Sequence, residues 1–131
     1  MKTLIVEDDF TSRVLLQEIL KKDGTVHVAV NGKEAVEGVR AALDDGEPYD
    51  LICLDIMMPE MDGYQALKEI RAIEESRGIR SPDGSRIFMT TALSGMKNVV
   101  QAFNSSCDAY LLKPIEKAKL LERLQEFGFT H

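Results

Sequence analysis

The feature that most constrains this chain is a rhythm: short apolar runs alternate with longer amphipathic stretches along its whole length. Residues 4–6 form a brief β-rich run, after which Leu15, Leu16, Ile19 and Leu20 recur at helical spacing. Residues 25–30 (TVHVAV) alternate and are rich in valine, as a strand requires. Ala35, Val36, Val39, Ala42 and Leu43 make a second helical stripe, with Asn31 placed to cap it. An apolar run at 51–54 precedes a third stripe at Ala66, Leu67, Ile70 and Ile73. A fourth run at 87–89 precedes a helix expected over about 96–104. A fifth run at 110–112 leads into Leu120, Leu121, Leu124 and Phe127.

Five strands alternating with five helices imply an α/β fold: a doubly wound parallel sheet with helices on both faces. The runs LIV, LICL and IFM lack polar alternation, as expected of strands buried on both sides. Right-handed crossovers then leave few topologies open. A length of 131 residues suits one domain over 1–131, and 44% apolar residues suffice for one core. The longest irregular stretch, about 76–86, contains Gly78, Pro82 and Gly84. It is longer than usual for such folds and reads as a solvated loop, with a partner contact as the alternative.

Twenty-two acids against 16 bases give a net charge of -6, which argues against a nucleic-acid-binding surface but not against a divalent cation. Cys53 and Cys107 do not form a CxxC pair. Cys53 lies in an apolar run and reads as a small buried hydrophobe. Free thiols suit a reducing compartment. The first apolar run stops at Glu7, too short for a signal-peptide core or a membrane span, so a cytoplasmic location is the expectation.

The residues that end the strands carry the chemistry. Glu7, Asp8 and Asp9 follow the first strand, Asp55 the third, Thr90 and Thr91 the fourth, Lys113 and Pro114 the fifth. In a parallel sheet these ends share one edge, and ligands of open α/β sheets bind there, where strand order reverses. For the flavodoxin-like order 2-1-3-4-5 that point lies between strands one and three, the two that deliver acids. Two carboxylates about 4 Å apart repel by about 4 kcal/mol in a surface-like dielectric. A hard cation such as Mg²⁺ relieves this, taking one or two carboxylates, waters and a phosphate oxygen. Aspartate can itself accept a phosphoryl group. Such transfer needs chiefly in-line positioning and charge neutralisation, which Lys113 and a cation can supply. Asp9 reads as exposed or capping, Asp62-Gly63 as the turn opening the third helix.

Four segments, LIVEDD at 4–9, LDIMMPEMDG at 54–63, MTTA at 89–92 and DAYLLKP at 108–114, each follow or contain an expected strand end in this order. Together they resemble the receiver domain of two-component response regulators over essentially the whole chain, and chemotaxis receivers share the 2-1-3-4-5 order. The resemblance implies a stand-alone regulator phosphorylated at Asp55 by a sensor histidine kinase or phosphotransfer protein. Asp8 and Asp55 are then the direct metal ligands with the backbone carbonyl of Met57, and Glu7 acts through water. Mg²⁺ is the expected cofactor, and Mn²⁺ a substitute. Lys113 and Thr91 contact the phosphoryl group, Thr91 and Tyr110 form a switch pair, and the Lys113-Pro114 bond is cis. The changed surface acts on an unknown downstream target, as a monomer or a phosphorylation-dependent homodimer.

The resemblance is incomplete at two positions. Ser106 stands where the family often has glycine, and Leu93 replaces a polar residue of some relatives. Leu93 and Met57 flank the expected phosphoryl group and offer no way to orient attacking water, so slow phosphoryl loss is expected. Two other classes compete. A haloacid-dehalogenase-type phosphatase normally carries a second aspartate two residues after the nucleophile, where this chain has Met57. A phosphorylation-independent adaptor would not need the intact constellation.

Overall fold

The computed structural model describes residues 1–58, 61–80, 83–92 and 107–129. Five strands, β1 (Lys2–Val6), β2 (Thr25–Ala29), β3 (Leu51–Asp55), β4 (Arg86–Thr91) and β5 (Ala109–Leu112), form one sheet in the order β2-β1-β3-β4-β5. Every neighbouring pair is parallel, and Ile5 faces both Val28 and Cys53 across the ladder. This is the flavodoxin-like order that the receiver resemblance implies.

Four α-helices are seen among the described residues: α1 (Phe10–Leu20), α2 (Gly32–Asp44), α3 (Gly63–Ser76) and α4 (Lys117–Glu126). The helix expected over about 96–104 lies outside the described residues. The first three helices start at short polar side chains that satisfy orphan backbone donors. Asp9 accepts from Ser12 N at 2.9 Å, Asn31 from Glu34 N at 2.8 Å and Asp62 from Gln65 N at 2.9 Å. Asp9 is therefore the capping residue that its place in the acidic run suggested.

Alternation along each strand divides the apolar side chains between two faces. Leu4, Val6, Ile52 and Leu54 pack with Val36, Val39, Leu67 and Ile70 beneath α2 and α3. Ile5, Leu51, Cys53 and Phe88 pack with Leu16, Leu20, Leu120 and Leu124 beneath α1 and α4. Cys53 is buried, and no disulfide joins it to Cys107. β4 extends two residues beyond the expected 87–89 run at its far end, because Thr90 and Thr91 are buried in the sheet despite their hydroxyls.

The connection from α3 to β4 is bound to the fold at both described ends. Gly78, at φ +77°, follows α3, and Ile79 N donates to Glu74 O. Ser85 is buried, with its N donating to Glu74 Oε2 and its Oγ to Tyr49 O. The description as a solvated loop holds for Arg77, Gly78, Arg80 and Asp83, which are exposed, and fails at Ser85, which is buried against Glu74 and Tyr49. No helix among the described residues is long and apolar enough to cross a membrane.

Candidate functional site

The C-terminal edge of the sheet gathers the acids that the strand ends supply. Glu7 N donates to Ala29 O, extending the β1–β2 ladder one residue past β1 and burying the Glu7 side chain completely. Asp55 closes β3 and is 3% exposed, whereas Asp8 faces solvent. Carboxylate oxygens of Glu7, Asp8 and Asp55 all lie within 4.8 Å of one another.

Lys113 reaches this cluster from the far side of the sheet. Its Nζ donates to Glu7 Oε1 and lies 3.4 Å from Asp55 Oδ2. The second Glu7 oxygen, Oε2, is buried without a hydrogen-bond partner among the described residues. With all three carboxylates ionised, they and the Lys113 ammonium sum to -2, so among the described residues Lys113 leaves the cluster short of positive charge.

The electrostatics follow from this crowding. Burial first, then the neighbouring Asp55 carboxyl, pushes Glu7 up to about 7, against the opposing pull of Lys113. Burial works to lower Lys113, but its hydrogen bond to Glu7 and the charges of Asp55 and Glu7 outweigh it and hold the ammonium charged. Asp9 is held below the ordinary carboxylate range by its hydrogen bonds from Ser12, consistent with capping.

The loop leaving β3 is held tightly around Asp55. Met57 N donates to Asp55 Oδ1 at 3.3 Å, while the Met57 side chain is 59% exposed at the rim. Ile56 N donates to Thr90 O, and Gly63 N returns to Ile56 O. A Cβ at Gly63 would stand 2.4 Å from Asp55 O and 2.7 Å from Ile56 Cα, so only glycine lets α3 begin this close to β3. Asp62-Gly63 is legible in the sequence as a turn, but the steric demand on Gly63 needs the backbone of residue 55 to be in place.

Thr91 is buried at the end of β4, and a hydrogen bond joins its side chain to Tyr110 on β5. Burial raises the Tyr110 phenol above its ordinary value, as does nearby Cys107, while the Thr91 hydrogen bond acts the other way. The Lys113-Pro114 peptide is cis. Thus Glu7, Asp8, Asp55 and Lys113 converge, Thr91 meets Tyr110, and the Met57 backbone borders Asp55. Leu93 and Ser106 lie outside the described residues.

The fold agrees with that of known proteins. A sequence profile of the response regulator receiver domain matches residues 3–125. Chemotaxis protein CheY of Bacillus subtilis is 34% identical over 127 residues, covering 95% of each chain. The receiver domain of the Arabidopsis thaliana histidine kinase CKI1, solved in complex with Mg²⁺, superposes with a TM-score of 0.79 at 32% identity over 96% of this chain and 90% of that one. The receiver domain of Saccharomyces cerevisiae Ssk1, solved with the histidine phosphotransfer protein Ypd1, gives 0.82 at 29% identity over 98% and 88%. This chain also spans 6% to 12% of the length of several histidine kinases that it matches at 32% to 38% identity. The chain therefore belongs to the response regulator receiver domain family.

Proposed function

We propose that Asp55 accepts a phosphoryl group from a phosphohistidine on a sensor histidine kinase or phosphotransfer protein. An Asp55 carboxylate oxygen attacks phosphorus, the O–P bond forms as the P–N bond breaks, and the departing imidazole nitrogen keeps the electron pair and takes a proton. The single observation that carries this reading is the convergence of Glu7, Asp8, Asp55 and Lys113 at the strand-order switch point.

The cluster also fits a resident divalent cation. Its donors are all oxygen, its local charge is -2 when all three acids are ionised, and Glu7 Oε2 is a buried oxygen without a hydrogen-bond partner among the described residues. Asp8, Asp55 and the Met57 carbonyl would hold Mg²⁺ or Mn²⁺ directly, and Glu7 through water. The bound ion supplies neutralisation of the incoming phosphoryl oxygens.

The chain's own residues do the rest. Lys113, already beside Asp55, offsets negative charge as it builds. Thr91 can give its hydroxyl to a phosphoryl oxygen only by changing its bond with Tyr110, which makes the pair a switch. The altered surface then acts on a downstream protein or on a second copy of the chain. This is a signalling reaction rather than turnover of a free substrate. Two cysteines not joined by a disulfide suit the reducing cytoplasm. Relatives carry this domain both as nearly a whole protein and as a small part of a long kinase, and the same chemistry serves either setting.

Incubation with Mg²⁺ and acetyl phosphate, read by intact mass, tests the assignment. One phosphoryl adduct is expected, lost in Asp55→Ala. Its persistence in that variant, or no adduct with any phosphoryl donor, would falsify the assignment. Sustained hydrolysis of phosphate esters would indicate a phosphatase instead.

A further inference from the structure

The opposite edge of the sheet holds a buried ionic cluster that the reaction does not touch. Asp108 immediately precedes β5. Its Oδ2 accepts from Ile87 N at 2.8 Å and from Arg71 Nη2 at 3.1 Å, and its Oδ1 from Arg86 Nη1 at 3.1 Å. Arg71 Nη1 also donates to Glu74 Oε1 at 2.7 Å and to Ser85 O at 2.8 Å. The side chains of Arg71, Asp108 and Glu74 are only 15%, 14% and 5% exposed.

Buried ion pairs are a poor source of net stability, because desolvation offsets most of their attraction. Their better-attested use is to fix register, and β5 needs that. It is an edge strand of four residues paired only with β4. The Asp108 backbone and side chain together grip Ile87, with Asp108 N donating to Ile87 O at 2.8 Å. Tyr110 and Lys113 follow two and five residues later, about 7 and 16 Å along an extended chain. The helix that supplies Arg71 begins at Gly63, against the backbone of Asp55. One rigid rod therefore touches the β3 end at its start and the root of β5 near its finish.

We propose that Arg71 and Asp108 are positioning residues: their ion pair sets the register of β5 on β4 and so places Lys113 and Tyr110 relative to Asp55. The proposal rests on the reading of Asp55 as phosphoacceptor. Displacing a reacting group by about 1 Å can cost on the order of 100-fold in rate, so loss of the clamp should slow adduct formation at least about tenfold.

The test uses the whole chain with Asp108→Asn, Arg71→Met and Arg71→Lys. Asparagine keeps the shape and the acceptor for Ile87 N while removing the charge, so it carries the test if Arg71→Met does not fold. Arg77→Ala, which removes an exposed pair with Asp44 at the end of the same helix, is the control. Rates with acetyl phosphate and Mg²⁺ are compared with backbone amide resonances of Tyr110 and Lys113. Asp108→Asn and Arg71→Met should slow the reaction and move both resonances. The double variant should be no slower than either single, Arg71→Lys should recover part of the rate, and Arg77→Ala should match the parent. Folded variants with parental rates and unmoved resonances overturn the proposal, as do single effects that multiply in the double variant. If the parent itself forms no adduct, the phosphoacceptor reading fails, and the resonances alone decide the clamp.

Discussion

Replacing Asp55 with asparagine should make the protein more stable at about pH 8 without divalent ions, even though it removes the reacting group. Asp55 lies within 4.8 Å of carboxylate oxygens on Glu7 and Asp8 and 3.4 Å from the Lys113 ammonium. At an effective dielectric of about 20, each repulsion is at least about 3.5 kcal/mol and the attraction about 4.9 kcal/mol. The two repulsions therefore outweigh the attraction by about 2 kcal/mol. Asp8 is exposed and water screens its share, so a gain of about 1 to 2 kcal/mol is expected for Asp55→Asn. Near pH 5 Glu7, which titrates at about 7, carries a proton and its repulsion disappears. The balance then tips to a deficit of about 2 kcal/mol for the variant. Urea unfolding in EDTA at low ionic strength measures both values, and saturating Mg²⁺ should stabilise the parent more than the variant. A variant less stable than the parent at about pH 8, or a difference that ignores pH, would refute the electrostatic account of the site.

Because the folded state raises Glu7 to about 7, its contribution to stability without metal is present below the ordinary value of 4.5 and is lost as pH rises through 7. Mg²⁺ must displace that proton, so calorimetric titration should show affinity rising up to about pH 7 with proton release, then levelling; a flat profile would contradict it. Glu74→Ala takes one of three acceptors from Arg71 and the carboxylate acceptor from the buried Ser85 N, and should cost about 2 to 3 kcal/mol in urea unfolding, with a loss below about 1 kcal/mol counting against the clamp as drawn. Gly63→Ala sets a methyl 2.4 Å from the Asp55 carbonyl oxygen and should lower both stability, by more than about 1 kcal/mol, and the rate of adduct formation. Parental values for both in that variant would show that α3 can move away freely.

Much of the site was legible because its residues sit at strand ends, and strand ends can be read from local patterning. Glu7, Asp8, Asp55, Thr91 and Lys113 were each placed by the apolar run before them. The boundaries were less legible. Lys2, Thr3, Thr90 and Thr91 belong to strands although their polarity hides it, since the sheet buries Thr3, Thr90 and Thr91 regardless. The stretch about 76–86 looked like solvated loop because nothing in its own composition shows that Glu74 waits to receive the backbone of Ser85.

Strand order, set by pairing between distant strands, came with the receiver resemblance; patterning along the chain supplied the fold class and the edge on which chemistry collects. Fold class and edge depend on periodicity and chain direction, which are properties of neighbouring residues. Tertiary structure decided how the charges are shared. Glu7 and Lys113 are 106 positions apart, Arg71 and Asp108 37, and no local pattern relates them. That Lys113 serves Glu7 as well as Asp55, that one Glu7 oxygen has no donor among the described residues, and that Gly63 has no space for a methyl group are consequences of close packing. Burial converts such distances into energies, because only out of water do a few ångströms between carboxylates become several kcal/mol.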